Sequence, residues 1–385
     1  MSASTASDER WMRRALALAR RGVALTHPNP MVGAVVVRED RPLAEAFHTW
    51  DGRVHAEALA IRRAGAAARG ATLYLNLEPC CHTGRTPPCT EAILSAGIGR
   101  VVAAMADPNP AVSGKGFRAL RRAGVEVEVG IGQEEAQRLN EAFALWIRRR
   151  RPFVTLKAAA TLDGQLAFAP PVRRAGRAAP GRRIANRWIS SAESRARVQQ
   201  MRHTSDAVLT GIGTVLADDP LLTDRSGGKR RRPLQRVVLD ADLRLPVSSR
   251  LARTAAGDAI VFTLLSAERA AVRRLERAGV RVVRVPGRRG KLDLAQVLSE
   301  LGKMEIVSLM AEAGPALNGA LLSAGLVEKL VLFYAPVILG REVVPLARGG
   351  RAAGAPLAEA RHVSWSWSGP DLVLEGYLRD VYRDH

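Results

Sequence analysis

At 385 residues, 47% of them apolar, the chain is too long for one ordinary core and too apolar to be disordered, so two domains are expected. No stretch approaches the roughly 20 apolar residues that cross a bilayer, and the polar opening Met1–Arg10 lacks a signal-peptide pattern, so a cytoplasmic protein without a membrane partner is expected. The net charge of +21 comes from arginines scattered among Ala, Gly and Pro (21 basic against 15 acidic residues over 1–150, 37 against 22 beyond), without the aromatic interleaving or long basic helix of a nucleic-acid partner.

In chain order, Ser7 or Asp8 is expected to cap a helix whose apolar positions Trp11, Met12, Ala15, Leu16, Leu18 and Ala19 run to a stop at Gly22. A short apolar run, Gly33–Val37, precedes a loop that reaches His55, and Ala56–Ala64 has helical spacing. Strands are expected at Ala71–Leu77, Val101–Met105 and Val125–Val129, and helices at Thr90–Ala96, Phe117–Ala123 and Glu134–Trp146. Arg148 to Arg151 and Pro152 break this alternation, which sets the division at 1–150 and 151–385. Beyond it lie strands at Phe153–Ala159, Ala207–Thr210, Arg236–Leu239, Ala259–Thr263, Val280–Val285, Ile306–Ala311 and Lys329–Tyr334. Helical patterns fall between them at Ala192–Met201, Ala267–Ala278, Leu292–Leu301 and Ala316–Ala324. The Pro-, Arg- and Gly-rich stretch Ala169–Arg183 and the basic run ending Ser226–Arg232 read as solvated loops.

All three cysteines lie between positions 80 and 89, which argues for metal or thiol chemistry and against a disulfide framework. His55-Ala56-Glu57, Pro79-Cys80 and Cys89 together fit a catalytic zinc site, in which one imidazole and two thiolates leave the fourth tetrahedral corner to water. Cys81 could stand in for Cys80, and the proline directly before Cys80 favours Cys80. Glu57, two residues past the histidine, is placed to carry the proton of the bound water, as in zinc nucleobase deaminases. The expected reaction is hydrolytic deamination of a nitrogen heterocycle.

Nucleoside- and tRNA-type deaminases usually place two residues between the cysteines, and here eight intervene, from Cys81 to Pro88. This loop, with Pro28-Asn29-Pro30, Phe47-His48, Asp107-Pro108-Asn109-Pro110 and Gly114-Lys115-Gly116, resembles the bifunctional deaminase–reductases of riboflavin biosynthesis. The likeness runs from Trp11 to about Leu378 and disfavours a tRNA- or DNA-acting deaminase. It implies an N-terminal cytidine-deaminase-like α/β/α layered domain followed by a dihydrofolate-reductase-like α/β domain. It further implies a homo-oligomer, one Zn2+ per chain and NADPH. The implied substrate is a phosphorylated pyrimidine, 2,5-diamino-6-(5-phosphoribosylamino)pyrimidin-4-one, whose ribosyl group is reduced to ribityl after deamination. Asn29, His48, His82, Arg85, Asp107 and Asn109 match the family's substrate positions. Asn and Asp can read ring amide and amino edges, and arginine and histidine suit a phosphate.

In the second half, Lys157 ends an apolar run and on its own reads as a snorkelling lysine. Thr161-Leu162-Asp163-Gly164 reads as a turn, and Gly211-Ile212-Gly213-Thr214 as a glycine-bearing turn after a strand. Ala311-Glu312-Ala313-Gly314 sits between strand and helix, where backbone N–H groups can meet a dinucleotide phosphate, without the G-x-G-x-x-G of an ordinary Rossmann site. The resemblance implies NADPH contacts at Ala160, Trp188, Thr214, Asp218 and Gly314. It implies substrate contacts at Asn186, Arg202, Leu222, Arg225 and Glu312, and catalytic roles for Lys157 and Asp218.

Overall fold

The computed structural model describes residues 3–83, 87–168, 188–340, 343–349 and 359–383. The first half runs α1 (Ala3–Arg20), β1 (Gly33–Arg38), β2 (Arg41–Phe47), α2 (Ala56–Ala64), β3 (Thr72–Leu75), α3 (Cys89–Ser95), β4 (Arg100–Ala103), α4 (Lys115–Arg122), β5 (Glu126–Val129) and α5 (Gln133–Arg149). Its sheet has the order β2-β1-β3-β4-β5, with β1 antiparallel to both neighbours and the rest parallel.

Strand β1 is buried on both faces, which explains its unbroken apolar run. Ala34 and Val36 pack with Ala56 and Ala60 of α2 and Ile93 of α3, while Val35 and Val37 pack with Trp11, Met12, Ala15 and Leu16 of α1. Helix α1 lies against the strand because Gly33 has no side chain; a β-carbon there would stand 2.1 Å from the Ala15 carbonyl oxygen.

Two expectations for this half are corrected. Helix α1 starts at Ala3, so Ser7 and Asp8 lie inside it and are not its caps. Their side chains serve tertiary partners instead: Ser7 Oγ donates to Asp40, and Asp8 accepts from Tyr74 Oη and, at 2.8 and 2.9 Å, from the Arg100 guanidinium. The stretch before His55, expected as loop, contains β2, whose buried positions are Ala44 and Ala46. Alanines alone carry little apolar contrast, so the alternation is faint.

The second half runs β6 (Phe153–Thr161), β7 (Gln165–Phe168), α6 (Ala192–Thr204), β8 (Ala207–Gly211), α7 (Ile212–Asp218), β9 (Gln235–Leu239), α8 (Arg250–Arg253), β10 (Ala259–Leu264) and α9 (Arg269–Arg277). It continues through β11 (Arg281–Val285), the ribbon β12 (Gly287–Arg288) and β13 (Lys291–Leu292), α10 (Leu294–Lys303), β14 (Ser308–Ala311), α11 (Pro315–Ser323), β15 (Lys329–Ala335), β16 (Val343–Pro345), β17 (Arg361–Ser368) and β18 (Asp371–Tyr377). The main sheet has the order β11-β10-β9-β8-β14-β6-β15-β18-β17, parallel as far as β15 and antiparallel beyond. One face packs Val154, Leu156 and Leu309 against α10 and α11, and the other packs Val208, Val238, Val261 and Met310 against α7, α8 and α9.

The closing hairpin of β17 and β18 was not among the expected elements; β17 is exposed at seven of its eight residues and shows no core-facing pattern. Gly211–Thr214, expected as a turn, is the end of β8 and the first turn of α7. The stretch Ala169–Arg183 lies outside the described residues. Trp146 of α5 donates its indole N–H to the Gly302 carbonyl of α10 at 3.0 Å. Tyr382, past β18, returns to α5 and donates to the Gln137 carbonyl at 3.0 Å, so the second half touches the first through α10 and through its C-terminal segment. No described helix is long and apolar enough to cross a membrane.

Candidate active sites

His55 is the residue before α2, in extended conformation, and Cys89 is the first residue of α3. Cys80 follows β3 by five residues and accepts the backbone N–H of Cys89 at 3.3 Å. The three side chains converge: His55 Nδ1 is 3.2 Å from Cys89 Sγ and 3.5 Å from Cys80 Sγ, and all three ligand atoms lie within 4.8 Å of one another. A tetrahedral zinc ion with the usual bond lengths separates sulfur from nitrogen by about 3.6 Å, so the spacing fits such an ion. Cys80, and not Cys81, joins the cluster.

The electrostatics suit a cation too. The Cys89 thiol donates to Cys80, which holds the Cys80 thiol down to about 4 and pushes Cys89 up. The hydrogen bond with Cys80 raises His55 to about 8. Two thiolates and a neutral imidazole can coexist at this spacing when a divalent ion neutralises them. Glu57, in the first turn of α2, is only 4% exposed; burial pushes its carboxyl up, and it hydrogen-bonds with the Cys89 sulfur, facing the cluster.

Around this centre, His48 is buried, with its ring 5.5 Å from that of His55 and perpendicular to it. Burial lowers its pKa, and the neutral ring donates from Nδ1 to the Val54 carbonyl while Nε2 accepts from Asn29 Nδ2 at 3.0 Å. Asp107 is buried, and its carboxyl is pushed up to about 7 by that burial. Its Oδ1 accepts the backbone N–H of Asn109 at 2.8 Å. His82 is exposed, and Arg85 lies outside the described residues.

Sequence reasoning missed Glu78. This buried carboxylate accepts the backbone N–H groups of Asp107 at 3.1 Å, Gly114 at 2.7 Å and Phe117 at 3.2 Å. It ties the loop bearing Asp107 and Asn109 to the segment bearing Cys80. Gly116 closes the same contact, since a β-carbon there would meet the Pro79 carbonyl at 2.2 Å. The signal was its place directly before Pro79-Cys80.

A second cluster lies where β14 ends beside the middle of β6. Glu312, one residue past β14, accepts two hydrogen bonds from Arg202 of α6, at 2.6 and 3.1 Å, and stands 3.8 Å from Lys157 Nζ. Lys157 sits inside β6 and is largely buried, where the isolated reading of it was a snorkelling side chain. Burial lowers the Lys157 pKa, with Glu312 opposing. Burial pushes the Glu312 carboxyl up, but Lys157, Arg202 and Arg225 outweigh it and hold it below the usual range.

The N-terminus of α11 faces that of α7, since a β-carbon on Gly314 would stand 3.6 Å from Thr214 Oγ1. Asp218 lies one turn after Thr214 on the same side of α7 and is exposed. Leu222 is buried with φ of 55°, and Arg225 is exposed with its backbone N–H on Gln199. Ala160 is buried on the face of β6 opposite Lys157, paired with Tyr334 of β15. Trp188 is 62% exposed beneath the Arg195 guanidinium, and Asn186 lies outside the described residues.

Comparison with known proteins matches both halves. The family model of the cytidine and deoxycytidylate deaminase zinc-binding region matches residues 5–105, and that of the RibD C-terminal domain matches residues 152–374. Riboflavin biosynthesis protein RibD of Aquifex aeolicus is 43% identical over 333 residues, covering 86% of this chain and 88% of that relative. A solved structure of Acinetobacter baumannii RibD superposes with a TM-score of 0.83 at 35% identity, covering 97% of this chain and 99% of that one. The diaminohydroxyphosphoribosylaminopyrimidine deaminase/5-amino-6-(5-phosphoribosylamino)uracil reductase of Thermotoga maritima superposes at 0.80 with 33% identity over the same shares of the two chains. The cytidine-deaminase-like layered domain and the dihydrofolate-reductase-like domain expected from the sequence are borne out.

Proposed function

The chain belongs to the RibD family of bifunctional deaminase–reductases of riboflavin biosynthesis, and from that membership we propose that residues 1–150 deaminate and residues 151–385 reduce one phosphorylated pyrimidine. The substrate is 2,5-diamino-6-(5-phosphoribosylamino)pyrimidin-4-one, whose ribosyl group becomes ribityl in the second step.

In the first half His55, Cys80 and Cys89 hold one zinc ion. When bound, the ion lowers the pKa of its water from about 15.7 towards 7. Glu57 takes that proton on its carboxylate as the water oxygen bonds the amino-bearing ring carbon, and returns it to the amino nitrogen as the C–N bond breaks and ammonia leaves. His48 fixes the Asn29 amide so that its oxygen can receive a ring N–H. Asp107 and Asn109 read the opposite ring edge, while His82 and Arg85 take the phosphate. The convergence of His55, Cys80 and Cys89 beside an inward-facing Glu57 is the observation that carries this reading.

In the second half NADPH supplies hydride to the ribose C1′ when bound. Gly314 and Thr214, at two facing helix N-termini, receive its phosphates, and Ala160, Trp188 and Asp218 complete that cleft. Glu312, fixed by Arg202, positions the sugar hydroxyls. Lys157, beside Glu312, donates a proton to the opening ribose, and Asp218 is the second catalytic residue of this half. Arg202 and Arg225 suit the phosphate, and Asn186 and Leu222 are further contacts to the same substrate.

A second copy of the chain fits the edge strand β17, where Val363, Trp365 and Trp367 stand exposed along one side. The test of the whole reading is incubation of purified protein with the ribotide, with and without NADPH. Ammonia release without NADPH, and ribityl product only with it, is the expected result; ammonia release that requires NADPH, or none at all, overturns it.

A further inference from the structure

We infer that Arg231, in the reductase half, is a positioning residue for the deaminase, holding the two segments that carry Asn29 and His48. The inference rests on the substrate role given to Asn29 and His48 above.

The basic run Lys229-Arg230-Arg231-Arg232 reads from sequence as a solvated loop, and the structure puts it to another use. Arg230 is locked in place by donating to the carbonyls of Arg202, His203, Ser205 and Arg232. Arg232 is fixed by the Glu305 carbonyl at 2.9 Å. Between these anchors Arg231 crosses to the other half of the chain. Its backbone N–H donates to the Ala24 carbonyl at 2.9 Å, and its guanidinium donates to the His27 carbonyl at 2.6 Å. The same guanidinium stacks over the Trp50 ring, 4.1 Å from the centroid.

These contacts fall on the chain immediately beside the site. His27 is two residues before Asn29, whose backbone N–H bonds back to Thr26 at 3.0 Å, and Trp50 is two residues after His48. Trp50 N–H bonds to the Leu25 carbonyl, and Asn29 Nδ2 bonds to His48 Nε2, so the two segments form one unit gripped from outside by Arg231. A second tie runs parallel. His27 Nδ1 lies 2.6 Å from Asp206 Oδ1, and the other Asp206 oxygen accepts the backbone N–H groups of Val307 and Ser308. The unit therefore rests on the amino end of β14.

A guanidinium that donates to a part-buried carbonyl and stacks on an indole is preorganised in both directions, so its loss frees the Asn29–His48 unit without touching the metal ligands. The experiment measures Arg231→Ala and Arg231→Lys in the zinc-loaded full chain, with ammonia release, reduction of the already deaminated ribotide, and thermal stability followed separately. We expect Arg231→Ala to raise the deamination KM about tenfold with kcat, zinc content and reductase kinetics near wild type. Arg231→Lys, which keeps the charge and a donor, should recover part of the loss. If alanine prevents folding, the lysine variant alone must still show a KM rise confined to deamination. Unchanged deamination kinetics, or parallel loss of both activities with a lower melting temperature, overturns the inference. Asn29→Ala separates the two levels of argument. A KM rise there with none in Arg231→Ala sinks the positioning role alone, and no rise in Asn29→Ala sinks the substrate reading with it.

Discussion

Replacing Glu78 by glutamine isolates the contribution of one buried carboxylate to the deaminase pocket. Its two oxygens accept three backbone N–H groups, Oε2 from Asp107 and Gly114 and Oε1 from Phe117. An amide offers one acceptor oxygen, so whichever way it turns, at least one of these donors meets an NH2 group. An unpaired buried donor costs about 1–3 kcal/mol, and the remaining bonds lose their charge assistance. The sum is about 3 kcal/mol, which for a domain of this size lowers the melting temperature by about 6–12 °C. The loop carrying Asp107 and Asn109 loosens with it, so the deamination KM rises several-fold while zinc content holds. Calorimetry of the zinc-loaded chain and initial rates of ammonia release measure both. A melting temperature within about 2 °C of wild type would refute the reasoning.

Lys157→Ala is expected to lower NADPH oxidation at least a hundredfold (about 2.7 kcal/mol of transition-state stabilisation) and to leave ammonia release unchanged; equal loss of both activities would point to misfolding. Burial pushes the Glu141 carboxyl of α5 up to about 7 from 4.5. The folded chain therefore binds that proton more tightly than the unfolded one, and this group's contribution to stability falls as pH rises between those values and is level above them. Glu141→Gln should melt a few degrees above wild type at pH 8, with the gap closing by about pH 4.5; a gap independent of pH would show that Glu141 does not titrate in this way.

What was legible in the sequence is the part whose chemistry is carried by single side chains at fixed spacing. His55, Glu57, Cys80 and Cys89 could be named because a zinc site needs those atoms and tolerates few others, and the helices starting at Ala56 and Cys89 deliver two of them. The parallel strands β8, β9, β10 and β14 were equally visible, being buried apolar runs between helices. Elements outside that code were missed. In β2 the inward residues are alanines, and β17 turns its tryptophans outward, so neither shows an apolar face. Ser7 and Asp8 look like caps until Asp40, Tyr74 and Arg100 are found holding them. Glu78 and Arg231 bind mostly backbone groups distant in sequence, and no periodicity records such partners. The dense arginine content hid the difference between Arg231, which bridges the two halves, and Arg230 and Arg232, which are anchored on carbonyls of the second half.

The central claim is that a zinc ion held by His55, Cys80 and Cys89 works with Glu57 as its proton carrier. Its most direct test is the Glu57→Gln variant, assayed for bound zinc, ammonia release and reduction of the deaminated ribotide. The account predicts about one zinc per chain, no measurable ammonia and an intact reductase. Deamination at a near-normal rate would contradict it.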